Sequence, residues 1–104
     1  MIIPGTTPEH EFELPIDTAL LKSVKVIYGQ RDKELFYRRT EDCILDGKFL
    51  RVQLTQEETF LFDSNWMAQV IIRALTHNDE ALSTEEPITI PVAKCHDKNK
   101  EVLK

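Results

Sequence analysis

A small domain most readily builds catalytic or metal chemistry from histidine, cysteine and serine, and this chain spreads all three thinly. The histidines are His10, His77 and His96, and the cysteines are Cys43 and Cys95. A metal site made from Cys43, Cys95, His96 and either His10 or His77 would lack the closely spaced ligand pairs of structural zinc sites. Cys95 and His96 are adjacent, and neighbouring side chains on an extended chain point to opposite sides. Two cysteines half a chain apart suit reduced thiols in a cytosolic protein rather than a disulfide framework. No metal and no cofactor is expected. Ser23, Ser64 and Ser83 sit in no strand-to-helix elbow, and the three glycines form no phosphate-cradling loop. Carboxylates are plentiful, yet each group has a structural reading. Glu9, Glu11 and Glu13 make one wet strand face, Glu57-Glu58 falls at a helix start, and Glu85-Glu86 precedes a proline. No catalytic residue stands out, and the expectation is a protein that is not an enzyme.

The elements that would position any site repeat with period two, the strand period. In residues 9–14, His10, Phe12 and Leu14 alternate with the three glutamates, and Pro8 and Pro15 bracket the segment. Residues 16–22 admit either a helical turn or an irregular connection. Residues 23–30 and 34–40 read as a hairpin around a polar turn from Gly29 to Lys33. Residues 43–54 read as a second hairpin, with Asp46-Gly47 as a type I′ turn. Thr55 and Glu58 match a capping box, which predicts one helical turn with Phe60 and Phe62 beneath it. Residues 66–76 form the longest strand candidate, followed by a turn at 77–79 and a short edge strand in EALST. The last strand, PITIPV, is confined to an edge or a bulge by Pro87 and Pro91. About seven short strands with one helical turn predict an all-β, immunoglobulin-like antiparallel β-sandwich over residues 1–94, with an open barrel as the competitor. Residues 95–104 read as a charged, flexible tail.

Composition narrows the function classes. The chain has 104 residues, 41% hydrophobic and 30% charged, which suits one soluble globular domain. No apolar run approaches the roughly 18 residues of a membrane helix, and the N-terminus lacks the basic start and apolar stretch of a secretory signal. With 13 basic against 18 acidic residues, the net charge is −5, which disfavours a nucleic-acid partner. Arg31, Lys33, Arg38 and Arg39 gather on one hairpin, but Arg38 and Arg39 face opposite ways.

The apolar residues carry more information. Along 66–76 both strand faces are apolar, although only one can look into a sandwich core. A similar surplus recurs at Ile27, at Phe36 and at Phe49. On outer sheet faces, Ile27, Phe49, Met67, Ile71 and Leu75 would form a contiguous patch that calls for a protein partner, either a second copy or a neighbouring protein. A ligand-binding module, for example one for carbohydrate, is the alternative, with Trp66, Tyr28 and Tyr37 as its only stacking platforms.

Three stretches, PGTTPEHEFELPID, LDGKFLRVQLTQEETFLFD and QVIIRALTHNDEALST, resemble in content and order a group of small phage and prophage proteins of Firmicutes. They cover about half the chain. The group is similar to the N-terminal domain of phage baseplate upper proteins, and the resemblance implies an immunoglobulin-like β-sandwich acting in virion or tail assembly in the bacterial host cytoplasm. It implies no active-site residues. The polar HND turn before EALS departs from the glycine turn of that group.

Overall fold

A computed structural model describes all 104 residues. Eight strands form two antiparallel sheets: β1 (Glu9–Glu13), β2 (Leu21–Gln30), β3 (Lys33–Arg39), β4 (Cys43–Asp46), β5 (Phe49–Gln53), β6 (Ala68–Thr76), β7 (Ala81–Ser83) and β8 (Ile88–Ile90). The smaller sheet has the order β1-β5-β4. The larger runs β3-β2-β6, and β7 and β8 pair one after the other along the far edge of β6. The one α-helical turn, α1 (Gln56–Thr59), links β5 to β6. No helix is long and apolar enough to cross a membrane.

Alternation determines which residues meet between the sheets. Val24, Val26 and Tyr28 of β2, Ala68, Val70 and Ile72 of β6, and Leu50 and Val52 of β5 are all buried in one cluster with Leu54 and Phe62. Each such aliphatic side chain contributes about 1.5–3 kcal/mol through its removal from water. At one end of the core the rings stack: Tyr28 lies 4.9 Å from Phe36 and 5.7 Å from His10, and Phe62 meets Phe36 edge-on at 5.8 Å. Phe36 therefore belongs to the interior and not to a surface surplus. Arg38 follows Phe36 in phase toward the core on neighbouring Val26, and its side chain crosses to the smaller sheet. It donates to the Gln53 carbonyl at 3.3 Å and pairs with Glu58. Glu58 also completes the expected capping box, accepting from Thr55 N–H at 2.8 Å.

Several details differ from the sequence expectation. The expected hairpin of residues 23–30 and 34–40 is present as β2–β3 within one sheet, whereas in an immunoglobulin sandwich the second and third strands lie in opposite sheets. The hairpin's two-residue turn explains this. Arg31 (φ 55°) and Asp32 (φ 61°) both take left-handed conformations, the requirement of a tight type I′ turn. In the second hairpin Asp46 pairs with Phe49, so the turn residues are Gly47 and Lys48, one place later than expected. Only Gly47 (φ 59°) has positive φ, as in a type II′ turn. The open segment 16–22 contains a short 3₁₀ turn at Thr18–Leu20, capped by Asp17, followed by the first residues of β2. The charged tail returns to α1, where the Gln56 side-chain amide exchanges hydrogen bonds of 2.8 and 3.0 Å with the Leu103 backbone.

Candidate interaction face

The inward residues dictate which side chains face out. On β2 from Ser23 onward and on β6 these are the odd-numbered positions, and β3 adds Tyr37 and Arg39. Strand register sorts them into rows across the larger sheet. Tyr37, Ile27 and Ile71 lie side by side; the next row is Arg39, Lys25 and Arg73; then come Ser23 and Leu75.

The middle row sets the electrostatics of the face. Like charges opposite one another on neighbouring strands repel, and here three cations share a row. None of them belongs to an ion pair, because the pairs of this chain use Lys22, Arg38 and Arg51. Tyr37 takes up part of the charge: Lys25 Nζ lies 4.4 Å from its ring centroid and Arg39 Cζ 5.1 Å. Such exposed contacts contribute about 0.5–1 kcal/mol each, too little to replace a carboxylate partner. Above the row runs an open groove of about 600 Å³, whose lining includes Lys25, Arg39 and Arg73 but a single carboxylate, Glu41. A second, smaller depression of about 320 Å³ lies on the same sheet beside Ile27 and Ile71.

The five residues expected to make one apolar patch are divided. Ile27 and Ile71 are direct neighbours. Leu75 shares their face but lies beyond the basic row, and Met67, 46% exposed, sits just ahead of β6. Phe49 is on the opposite side of the molecule, because β5 belongs to the smaller sheet; its neighbours there are Glu13 and Asp46. The patch is thus part apolar and part cationic. Sequence reasoning missed the cationic row because its members meet only through the register of three strands, and a slip of one residue would scatter them. The alternation of Lys25 with Val24 and Val26 was the available signal for one of them.

The remaining chemistry-bearing residues do not converge. No three His, Cys, Asp or Glu side chains come together in a way that could hold a metal. Cys43 and Cys95 are free thiols, and burial pushes Cys43 up to about 11, which keeps it protonated. Of the aromatic platforms, Tyr28 is fully buried, and Trp66, 46% exposed, has the Arg31 guanidinium 4.5 Å from its ring.

His10 and Tyr28 form a close pair of titratable groups at the core, with Nδ1 2.7 Å from the phenol oxygen. Burial raises Tyr28 above its ordinary range, so the hydroxyl keeps its proton and shares a hydrogen bond with Nδ1 of the imidazole. Burial first, and the N-terminal charge second, lower the pKa of His10 below 6.5. The folded state therefore favours the neutral ring, and below 6.5 the unfolded chain takes up the proton more readily. Stability from this source is complete above that pH and declines as the pH falls through the window beneath it. In urea titrations at stepwise lower pH, His10→Gln should flatten that part of the decline; an unchanged profile would refute the assignment.

Comparison of the chain with protein-family models, with curated proteins and with solved structures found no match in any of the three.

Proposed function

We propose that this chain is a non-enzymatic assembly domain that docks an acidic stretch of a protein partner on the outer face of its larger sheet. The resemblance to phage and prophage proteins suggests the setting: construction of a virion or tail in the bacterial cytoplasm. The observation that carries the reading is the unpaired row of Arg39, Lys25 and Arg73, held beside Tyr37, Ile27 and Ile71. Arginine and tyrosine next to aliphatic residues are the composition of an interface centre. In a chain of net charge −5, Lys25, Arg39 and Arg73 enter no ion pair, and Glu41 is the one carboxylate lining their groove. The row spans only two strand spacings, about 10 Å, which suits a few carboxylates better than a nucleic-acid backbone. The carbohydrate alternative is less well supported, since Tyr28 is buried and Tyr37 and Trp66 are already engaged by cations.

An oligoglutamate peptide titrated into isotopically labelled protein at low salt tests this. The amide signals of Lys25, Ile27, Tyr37, Ile71 and Arg73 should shift together, and the combined Lys25→Gln, Arg39→Gln, Arg73→Gln variant should bind about tenfold more weakly or worse. Shifts confined to other surfaces, or equal binding by the variant, would overturn the reading.

A further inference from the structure

The opposite side of the molecule presents the complementary chemistry. The outward row of β1 is Glu9, Glu11 and Glu13, paired in register with Gln53, Arg51 and Phe49 of β5. Arg51 takes up Glu11 at 2.7 Å and also approaches Asp46. Glu9 and Glu13 have no cation partner in any ion pair of the chain. Beside these carboxylates lie Phe49 and the 58% exposed Ile44, which pairs with Arg51 across β4 and β5. One face therefore sets unpaired cations next to Ile27 and Ile71, and the other sets unpaired carboxylates next to Phe49 and Ile44.

We infer that the acidic partner of the cationic face is a second copy of this chain, which presents its β1–β5 face, so that copies stack head to tail. The inference rests on the docking face described above. The dimensions agree. Glu9 to Glu13 spans about 13 Å along a strand and Arg39 to Arg73 about 10 Å across strands, a difference that long side chains absorb. The glutamate row lies along its strand, whereas the cation row lies across its strands. The rows align when β1 of one copy crosses β2 of the next near a right angle, a recognised mode of sheet packing. Phe49 and Ile44 then lie toward Ile27 and Ile71. Each copy uses two different faces, so the contact is heterologous and leaves a free face at either end. Face-to-face sheets lie about 10 Å apart, so each two-layer copy adds about 20 Å to the stack.

Sedimentation velocity across a concentration series, in low and high salt, tests this with wild-type protein and two neutral variants. One variant is Lys25→Gln, Arg39→Gln, Arg73→Gln; the other is Glu9→Gln, Glu13→Gln, which spares the Glu11–Arg51 pair. Wild type should form a salt-sensitive series of species beyond the dimer. Each variant, melting like wild type, should need about tenfold or more higher concentration to assemble. An equimolar mixture restores one intact contact and should give a 1:1 pair that grows no further. A wild type that stays monomeric at low salt, a wild type that stops at a closed dimer, or a mixture without the pair would overturn the inference. If the oligoglutamate peptide still binds the cationic face of a monomeric wild type, the docking face stands and the self-stacking does not.

Discussion

Replacing Gly29 with alanine is expected to destabilise the domain by about 3 kcal/mol or more, the combined cost of steric overlap and a disturbed strand pairing. Gly29 lies at the register shift between β2 and β3, where it pairs with Glu34. An added Cβ would overlap the Lys33 carbonyl oxygen, a backbone atom of the same hairpin that cannot swing away as a side chain would. The carbonyl is fixed by the turn beside it, where Arg31 and Asp32 already hold left-handed conformations. Relief requires opening the hairpin or slipping β3 by one residue. A slip would turn Phe36 and Arg38 away from the core and break both the ring stack and the Arg38–Glu58 pair. Gly47→Ala is the control: a Cβ there meets nothing within 4 Å, leaving only the left-handed strain of about 1–2 kcal/mol. Urea midpoints of the two variants check this, and equal losses would show that the bulge at Gly29 relaxes freely.

Gln30→Leu should cost about 3 kcal/mol, because it leaves several backbone groups without partners while keeping most of the side-chain volume. The Gln30 amide is 7% exposed and serves the loop that carries Trp66. Its Nε2 donates to the carbonyls of Asp63 at 2.8 Å and Trp66 at 3.0 Å, and its Oε1 accepts from Asp63 N–H at 2.8 Å. With leucine in place the loop between α1 and β6 loses its anchor to the end of β2. Trp66 emission should shift to the red and become more accessible to quenchers, alongside the lower urea midpoint. A variant as stable as wild type, with unchanged emission, would show that water replaces all three bonds without cost.

Local signals were legible wherever the physics is local. Alternation located the strands, with Glu9–Glu13 and Ala68–Thr76 within two residues of expectation. The Thr55 and Glu58 pair formed its capping box because both partners lie within one turn. The β2–β3 and β4–β5 hairpins were legible from the polar turns between their strands. The pairing of β1 with β5 and of β2 with β6 was not, because those strands lie far apart in sequence. The candidate site failed for a related reason. In β6 both faces are apolar enough to pass for core, and only pairing with β2 shows that Ile71 faces out with Ile27. The cationic row depends on the same pairings, so it lies beyond any reading of one segment at a time.

The arrangement along the far side of β6 has a consequence for how such a molecule can grow. β7 and β8 are three residues each, and after Thr84, which still donates to the Ile72 carbonyl, the run 85–87 between them breaks the ladder. Pro87 and Pro91 flank β8 and have no N–H to offer a newcomer. On the other border, β3 is charged at Lys33, Glu34 and Arg39 and carries a bulge at Leu35, features that discourage strand addition. Polymerisation in the cross-β sense, one backbone hydrogen-bonding to the next, is thus blocked on both borders of the larger sheet. What joins the larger sheet must then join its outer face, where side-chain chemistry and not backbone hunger for partners decides what may dock.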